Sequence, residues 1–369
     1  MKNGTVVGAV IGCGSISKSH ITAMQKAGYV IGALCDTNKE AAEGRKKELC
    51  TPETEVFTDT AAMLKRADID VVGVCTPPFL HCDQTVAALE AGKCVYCEKP
   101  VSHTLKDFKR IFAAEKKSGR TSYYTPCRMR SPTIRQQIAD GKLGNVYRID
   151  TTHFRWNGRS GVEKNTQSRW FADSRKAIAG ITGDMGMYFF DRALHMTGWP
   201  EITSLSAVMY KEFPHALPKE IPYDVEEHAL IMARTGGTLT LTFELANMAL
   251  YDNGTVNTLD ILGTKASIRS HNWQPGTRFI TTKDGLTAGG TMEFSEIKLD
   301  TSADRSGDTA VYSEIAGLLK SKTPVQSGTT SEQMYRLHEL LAMAFLSSHE
   351  KREVTPKDLD PSAQIFIAP

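Results

Sequence analysis

The first 127 residues alternate short apolar, β-rich runs with stretches of helical periodicity. The candidate strands are 5–11, 29–36, 71–76, 94–97 and 121–126, and the helical patterns lie near 17–27, 38–49, 59–66, 80–91 and 104–118. Such alternation predicts a parallel sheet with helices on both faces. The runs are apolar almost throughout, which is typical of strands that are covered on both sides. The segment is therefore predicted to form a doubly wound α/β domain.

After residue 126 the pattern changes. A helix is predicted over 131–141, a strand over 145–154 and a long helix from about 184 to 196. Strands and hairpins follow over 202–300, and helices return at 308–321 and 330–348. In the hairpin at 228–246, Gly236 and Gly237 are predicted to supply a turn with positive φ. The near-alternating strand TLTLTFEL predicts a sheet with one face covered and the other exposed or covered by a partner subunit.

A chain of 369 residues exceeds the size of a usual single core, so two domains are predicted. Residues 1–127 are predicted to be a dinucleotide-binding Rossmann domain. Residues 128–369 are predicted to form an α+β domain with an open, mostly antiparallel sheet that binds substrate and mediates oligomer contacts, its last helices able to return to the first domain.

Composition and charge argue against several classes of protein. The formal net charge of +2 gives no reason to expect nucleic acid or an anionic membrane as a partner. No apolar run approaches the length that spans a bilayer, and the first residues are interpreted as a strand and not as a signal peptide. A cytoplasmic location is expected.

Eight cysteines, all within the first 127 residues, raise the possibility of disulfides or a zinc site. Several lie inside apolar runs, where a free cysteine acts as a small hydrophobic residue. Cys94 and Cys97 form a CxxC, but on a strand they point to opposite faces. No second CxxC or suitably spaced histidine pair accompanies them, so reduced thiols and no metal site are expected.

The segment VIGCGSIS, residues 10–17, places Gly12, Gly14 and Ser17 at the positions of a GxGxxG fingerprint. The first glycine permits a tight turn, the second lets the backbone approach a pyrophosphate, and the small third residue lets the helix pack close to the strand. The helix N-terminus then offers N–H donors to the phosphates. The preceding strand and following helix strengthen a motif that is weak alone.

Asp36 ends the second strand about twenty residues further on, where an acidic residue binds the ribose hydroxyls of a dinucleotide. A carboxylate there repels a 2′-phosphate, so NAD is favoured over NADP. Lys39 lies nearby and could reach a phosphate, which leaves NADP possible. The alternative is that Asp36 only caps the following helix.

Lys99 stands between Glu98 and Pro100, directly after the apolar run CVYC. The proline favours an extended conformation at Lys99. The lysine is then placed at the carboxyl end of a strand, where open α/β sheets bind their ligands. The alternative is structural: the lysine marks the point where the strand meets water.

Four polar residues of the predicted helix 184–196 are spaced by four, three and four positions: Asp184, Tyr188, Asp191 and His195. On a helix these positions share one face. Asp184 could instead be only an N-cap, Tyr188 a core residue with a paired hydroxyl, and His195 a partner of the helix C-terminus. A functional role is favoured for Asp184 and Tyr188 together.

These features, EKP after a strand, Asp36 and the DxGxYxxD helix, resemble the Gfo/Idh/MocA oxidoreductases. TPPFLH at 76–81, GKCVYCEKP at 92–100, RW at 169–170 and GTKA at 263–266 extend the resemblance over nearly the whole chain. It implies a Rossmann domain followed by an α/β domain with an open, largely antiparallel sheet. IAG at 178–180 departs from the GGG of many members.

The resemblance also implies roles for individual residues. Cofactor contacts are expected from the following residues: Gly12, Gly14, Ser15, Ile16, Asp36, Thr76, Pro77, His81, Glu98 and Lys99. The expected catalytic residues are Lys99, Asp184 and Tyr188, with Tyr188 at the position where most members carry a catalytic histidine. Arg128 lies near a substrate-side arginine of the family.

In the oxidation that the resemblance implies, Tyr188 is the candidate general base, acting as a phenolate with help from the charge of Lys99. A free phenol titrates near pH ~10, so such a base needs a nearby cation at neutral pH. Lys99 would also stabilise developing alkoxide charge. Asp184 would bind a neighbouring hydroxyl or orient Lys99.

The segment 153–171 carries His153, Trp156 and Trp170, which are predicted to bind substrate together with Arg128. Aromatic faces pack on sugar C–H faces, so a sugar, glycoside or inositol is expected; an oligomer contact is the alternative. Three functions remain open: an NAD(H)-dependent dehydrogenase or reductase, an NAD-dependent glycosidase without net redox change, and a non-catalytic sensor. A homodimer or homotetramer is expected by analogy with the family.

Overall fold

The computed structural model describes residues 4–156, 166–212, 222–249, 254–271, 276–282, 291–297 and 306–368. The chain divides into two compact units. The first unit consists of Met1–Arg128 and Ser302–Arg336, and the second of Met129–Thr301 and Leu337–Pro369.

The strands and helices of the described residues are numbered in chain order. The strands are β1 (Val7–Ile11), β2 (Val30–Cys35), β3 (Glu55–Phe57), β4 (Val71–Val74), β5 (Cys94–Cys97), β6 (Ser122–Tyr124), β7 (Val146–Arg155), β8 (Ile202–Tyr210), β9 (His228–Thr235), β10 (Thr240–Asn247), β11 (Val256–Gly263), β12 (Ser267–His271), β13 (Thr277–Thr282), β14 (Met292–Ile297) and β15 (Thr329–Thr330). The helices are α1 (Ser17–Lys26), α2 (Lys39–Leu49), α3 (Thr60–Leu64), α4 (His81–Glu90), α5 (Phe108–Ser118), α6 (Pro132–Ala139), α7 (Ser174–Ala177), α8 (Met187–Met196), α9 (Ser306–Ser321) and α10 (Ser331–Glu350).

The first unit is built on a sheet with the strand order β15-β6-β5-β4-β1-β2-β3. All neighbouring strands are parallel except β15, which pairs antiparallel with β6. The order 3-2-1-4-5-6 is that of a Rossmann fold, with its ligand crevice at the carboxyl ends of β1 and β4, where the order reverses. The predicted doubly wound parallel sheet is confirmed.

Burial explains why these runs form the centre of the sheet. Every residue of β1, β4 and β5 is buried, as expected for strands that helices cover on both faces. Helix α9 contributes Val311, Tyr312 and Ile315 to the same core, and it packs against α1. A segment from late in the chain thus completes the core of the first unit.

The second unit contains a sheet with the order β14-β13-β12-β11-β7-β10-β9-β8. Neighbours are antiparallel except for the parallel pair β7 and β10. Along β8, β9 and β10, buried residues largely alternate with exposed or half-exposed ones, so one face of the sheet is covered and the other is open. The predicted open, mostly antiparallel sheet is confirmed.

The predicted positive-φ turn of the β9–β10 hairpin is wrong. Neither Gly236 nor Gly237 is among the glycines with positive φ. The last pair of the ladder joins Arg234 to Thr240, which leaves a loop of residues 235–239 between the strands. The Thr235 hydroxyl donates to the Leu239 carbonyl at 3.0 Å and accepts from the N–H of Gly237 at 3.4 Å. This longer loop is closed by a side chain, so it needs no two-residue turn with left-handed glycines.

All eight cysteines are free thiols, and only Cys50 is not buried. Among the described helices, none combines the length and apolarity required to cross a membrane.

Candidate active site

The turn between β1 and α1 requires glycine at position 12. Gly12 has φ of +90°, and a Cβ there would lie 2.7 Å from the carbonyl carbon of Cys75. Its N–H donates to the carbonyl of Cys35 at 2.8 Å. The backbone directly after β4 approaches so closely that a side chain has no room.

Gly14 faces open space on the other side of this turn. A Cβ at Gly14 would meet no atom within 4 Å. Ser17, which is fully buried, donates its hydroxyl to the Gly14 carbonyl at 2.6 Å. Helix α1 has no side-chain cap and no acidic residue in its first turn, while Ser15 is exposed and Ile16 is half-buried beside it. The loop and helix end therefore fit the pyrophosphate of a dinucleotide.

Asp36 holds this loop through hydrogen bonds, and the Asp36 side chain itself is only half-buried. Its Oδ2 accepts from the N–H of Cys13 at 2.7 Å, and its Oδ1 accepts from the N–H of Asn38 at 2.8 Å. The cap of α2 is Asn38, whose side chain accepts from the N–H groups of Glu40 and Ala41. The capping alternative for Asp36 is thus wrong, and its remaining lone pairs suit ribose hydroxyls.

His81, the first residue of α4, connects the loops that follow β4 and β5. Its ring is 1% exposed, with Nδ1 2.6 Å from the carbonyl oxygen of Pro100 and Nε2 2.6 Å from that of Thr76. Burial lowers the pKa of the imidazole. Both ring nitrogens face backbone carbonyls of the protein itself, so His81 holds the loop of Thr76 and Pro77 in place. A direct contact between His81 and the cofactor stays a prediction.

Glu98 is buried and its carboxylate has several donors. Arg128 Nη1 donates to Oε1 at 2.7 Å, and the Thr125 hydroxyl donates to Oε2 at 3.0 Å. His20 Nε2 lies 3.3 Å from Oε1, and the N–H of Lys99 donates to Oε2 at 3.3 Å. Burial raises the pKa of Glu98, but Arg128, the hydrogen bond from His20 and the charge of Lys99 outweigh it and hold the pKa well below its usual range. Glu98 therefore fixes the backbone of the half-buried Lys99.

Arg128 links Glu98 to helix α9. Its Nε lies 2.7 and 2.9 Å from the two carboxylate oxygens of Asp308, which is fully buried. The Tyr96 hydroxyl donates to the same carboxylate at 2.7 Å, and Tyr312 lies 2.7 Å from His20. The Arg128 side chain is 7% exposed. The structure thus brings Glu98 and Arg128 together in a buried ionic network, and a substrate role for Arg128 stays a prediction.

In the second unit, Asp184 lies in a π-helical turn, Thr182–Gly186, that leads into α8. Its Oδ2 accepts from Arg155 Nη2 at 3.1 Å. Arg155 Nε and Nη2 also donate to Asn247 Oδ1, at 2.9 and 2.6 Å. Arg155 ends β7 and Asn247 ends β10, so two adjacent strand ends fix the carboxylate in front of the helix that carries the half-buried Tyr188.

Glu226 holds the loop before this turn, and it belongs to none of the sequence motifs described above. Its Oε2 accepts from the N–H of Gly180 at 2.7 Å, and its Oε1 accepts from both the N–H and the hydroxyl of Thr182. A Cβ at Gly180 would lie 1.8 Å from the Glu226 carbonyl oxygen. Ile178, at the first position of IAG, is buried with φ of +71°, which is strained for a β-branched residue. One buried carboxylate thus fixes the backbone that leads to Asp184.

The predicted four-residue stripe divides into two sets. Arg130 pairs with the fully buried carboxylate of Asp191 through two contacts of 2.7 and 2.8 Å. Burial, with help from Arg130 and Arg135, lowers the pKa of His195 to about 3, so the neutral ring accepts from Arg135 Nη1 at 2.6 Å. Asp191 and His195 therefore anchor α8 to the segment of α6.

The three predicted substrate residues of segment 153–171 differ in their surroundings, and their binding of substrate stays a prediction. His153 is buried on β7, with Nδ1 2.5 Å from Asn257 Oδ1. Trp156 is 58% exposed just after β7, and Trp170 stacks on Phe171 with 3.7 Å between ring centroids. Residues 157–165 of the predicted loop lie outside the described residues.

Two family models match this chain. The model "Oxidoreductase family, NAD-binding Rossmann fold" matches residues 7–125, and "GFO/IDH/MocA C-terminal domain" matches residues 132–269. The chain belongs to the Gfo/Idh/MocA oxidoreductases. Its first unit therefore carries an NAD-binding Rossmann domain, and the predicted family and cofactor are confirmed.

Individual relatives are similar at low identity. An uncharacterized oxidoreductase, YrbE, of Bacillus subtilis is 27% identical over 76% of this chain and 77% of its own length. The D-glucoside 3-dehydrogenase of Escherichia coli is 28% identical over 55% of this chain and 57% of its own length. A levoglucosan dehydrogenase solved with NADH and levoglucosan superimposes with a TM-score of 0.82 at 18% identity, over 95% of this chain and 99% of that one. This structural likeness shows the fold.

For a Gfo/Idh/MocA Rossmann domain, Asp36 is the residue expected to select NAD. We expect Asp36→Ala to weaken NAD binding by about 10-fold to 100-fold, because hydrogen bonds to a charged group contribute about 1.5–3 kcal/mol. Discrimination against NADP should fall as well, since the carboxylate no longer repels a 2′-phosphate. Titration of both cofactors by fluorescence tests this. Asn38→Ala, which removes the cap of α2, is the control and should leave the NAD/NADP ratio unchanged; an unchanged ratio in Asp36→Ala would contradict the assignment.

Proposed function

We propose that this oxidoreductase transfers a hydride between NAD and a ring hydroxyl or ketone of a sugar, glycoside or inositol. The observation that carries the proposal is the carboxylate of Asp184, held by Arg155 at the turn that leads to Tyr188. Two carbohydrate dehydrogenases among the relatives, those for D-glucoside and levoglucosan, support a substrate of this class.

The proposed roles follow from the chemistry of alcohol oxidation. Bound NAD supplies the hydride acceptor. Tyr188 takes the proton of the reacting hydroxyl, and the ammonium of Lys99 favours both the phenolate and the developing alkoxide. Asp184 accepts a hydrogen bond from a neighbouring hydroxyl, while Arg155 and Glu226 fix its position. Glu98 fixes the backbone from which the Lys99 side chain extends.

The appearance of reduced nicotinamide tests the proposal. The purified protein is mixed with NAD⁺ and a panel of sugars, glycosides and inositols, and absorbance is followed. The proposal expects reduction in proportion to added NAD⁺ with at least one compound. Release of an aglycone without accumulation of NADH would indicate the glycosidase instead. Binding of sugar and NAD without any turnover would indicate the sensor.

We also propose that the open face of the second unit's sheet joins copies of this chain into a homodimer or homotetramer. Val208 and Leu230 lie opposite each other on β8 and β9 and are 46% and 47% exposed, and Tyr210 beside them is 40% exposed.

A cytoplasmic location is proposed too; the free thiols of all eight cysteines support a reducing compartment.

We expect Leu230→Asp to dissociate the oligomer, because a carboxylate in an apolar contact must lose its hydration. Light scattering coupled to gel filtration measures the mass. Val30→Asp changes a similarly exposed apolar residue of the first unit, 53% exposed, and should leave the mass unchanged. A wild-type monomer, or an unchanged mass in Leu230→Asp, would contradict the proposal.

A further inference from the structure

Helix α8 carries a cation to which the described part of the chain offers no anionic partner. The guanidinium of Arg192 takes part in no ion pair or hydrogen bond there, and its Nε is buried without a partner. Its central carbon lies 5.1 Å from the centroid of the Phe189 ring. Burial alone lowers the pKa of Arg192 to about 10. A shielded charge without a partner costs folding free energy, so a compensating function of Arg192 is expected.

Other shielded arginines of this protein differ in that respect. Arg128 faces Glu98 and Asp308, and Arg130 faces Asp191. The first set lies in the first unit, and in the second unit the pair of Arg130 and Asp191 anchors α8. Arg192, in contrast, keeps part of its surface open. An arginine with no carboxylate beside it and partial access is suited to bind an anion from outside the chain.

Arg192 lies close to the residues assigned to the reaction. It follows Tyr188 by four positions, one turn along the same helix. His153 packs against the Phe189 ring that Arg192 covers, with 5.1 Å between the ring centroids. The charges of Asp184 and Arg192 shift the pKa of His153 in opposite directions, the first upward and the second downward, so both are within electrostatic range of its ring.

His153 adds an unused acceptor to this cluster. Its Nδ1 donates to Asn257 Oδ1 at 2.5 Å, which leaves Nε2 as a lone-pair acceptor. That Nε2 is buried and has no partner. Burial lowers the pKa of His153, which favours the neutral ring that this arrangement needs. The cluster thus combines a cation that can bind a carboxylate with an acceptor that can bind a hydroxyl proton.

We propose that Arg192 and His153 form a subsite for the carboxylate and a neighbouring hydroxyl of a sugar acid, so that the preferred substrate is a uronate or related acid. This inference rests on the proposed function, whose substrate class it narrows. Guanidinium binds carboxylate through paired, charge-assisted hydrogen bonds. A neutral sugar of the same stereochemistry would leave Arg192 without an anion and should be the weaker substrate.

Matched pairs of sugars test the subsite. D-glucuronate is compared with D-glucose and D-galacturonate with D-galactose, and D-glucose 6-phosphate represents a phosphate-bearing ligand. Steady-state kinetics with NAD⁺ and calorimetric binding to the NADH-loaded protein are measured for each. At least one acid should exceed its neutral partner in kcat/KM by about 10-fold or more, the effect of one charged hydrogen bond. No acid better than its neutral partner, or a preference for the phosphate, would overturn the assignment.

Variants at position 192 separate binding from packing. Arg192→Met keeps the length of the side chain and should raise the KM and Kd of the preferred acid by about 10-fold to 100-fold, with kcat and the neutral sugar little affected. Arg192→Lys should recover part of the loss, because it keeps the charge but not the paired geometry. Equal losses for acid and neutral sugar would overturn the proposal.

Thermal unfolding supplies a readout that a structural role would move. Arg192→Met should keep or raise the Tm, because it removes a cation that no carboxylate compensates. Arg130→Met is the matched control and should lower the Tm, because it leaves the buried carboxylate of Asp191 without its cation. A fall in Arg192→Met as large as in Arg130→Met would overturn the subsite. If no sugar reduces NAD⁺, the proposed function fails, while acid binding that depends on Arg192 still decides the subsite.

Discussion

Replacing Lys99 with methionine is expected to lower kcat for sugar oxidation by about 1,000-fold or more, while NAD still binds. Lys99 lies at the carboxyl end of β5, half-buried, with its backbone fixed by the carboxylate of Glu98. Methionine keeps the length of the side chain and removes the ammonium. The phenolate of Tyr188 and the alkoxide then lose the positive charge that the proposed mechanism requires.

The measurement is kcat at saturating NAD⁺ with the best substrate of the panel, alongside fluorescence titration of NADH. Tyr188→Phe should show a loss of about 100-fold to 10,000-fold, the usual contribution of a general base. Lys109→Met alters an exposed lysine of the same unit and should behave as wild type. A Lys99→Met protein that retains more than a tenth of the wild-type kcat would exclude this role for the lysine.

The second large effect concerns stability. We expect Arg128→Met to lower the free energy of unfolding by about 3–5 kcal/mol, because removal of one partner leaves buried charges uncompensated. Arg128 is the cation between Glu98 and the fully buried Asp308. Methionine fills part of the space of the arginine but leaves the carboxylates of Glu98 and Asp308 without their shared cation. Urea unfolding of the full chain, followed by circular dichroism, gives the difference.

Arg110→Met is the matched control, since Arg110 pairs with Asp83 at the surface, where the two side chains are 51% and 67% exposed. Exposed pairs contribute less than about 1 kcal/mol, so this variant should unfold nearly as wild type does. If both variants lose the same small amount, the buried network does not hold the first unit together.

The difference between wild type and Arg128→Met should also depend on pH. The pKa of Glu98 is held well below its usual range. Glu98 therefore contributes stability above the ordinary carboxyl pKa of about 4.3, and this contribution is lost as pH falls through the lowered pKa. Without Arg128, burial favours the protonated form of Glu98. Protonation in acid then removes the uncompensated charge that destabilises the variant at neutral pH. The stability gap should therefore narrow below about pH 5. A constant gap from neutral to acid pH would assign the effect to packing.

Local signals in the sequence were sufficient for the architecture of the first unit. The apolar runs of β1, β4 and β5 predict buried strands, and Gly12 is required by a backbone approach that the GxGxxG spacing anticipates. Strand β3 is not predicted, because its three residues, one exposed and two half-exposed, lie at the sheet edge and lack a clear pattern. Strand β15 has two residues and carries no periodicity at all.

Long-range partners could not be predicted from one sequence. Asp308 pairs with Arg128 across 180 positions, and Glu226 reaches Gly180 across 46. Neither carboxylate belongs to a motif, so nothing in its neighbours indicates that it is buried. The predicted roles of Arg128 at the substrate and of Glu98 at the cofactor stay predictions, while the ionic network that joins the two residues is visible only in the structure. Only the fold brings these segments together.

The helix that carries Tyr188 shows the limit of periodicity. Spacing grouped Asp184 and Tyr188 with Asp191 and His195, yet the last two face arginines from α6 and the segment before it. Arg192, four positions after Tyr188, has the same helical spacing but is not among the four residues that the spacing grouped. Helical geometry predicts which residues share a face, but it does not tell which neighbour that face meets.

Transfer of deuterium from a labelled sugar to the nicotinamide tests the central claim most directly. The wild-type protein is supplied with NAD⁺ and the best compound of the panel, deuterated at its ring carbons, and the cofactor is examined by mass spectrometry. The proposal expects one deuterium in each reduced cofactor, formed in the same amount as the oxidised sugar. Reduced cofactor without deuterium, or bound sugar and NAD⁺ that never react, would contradict it.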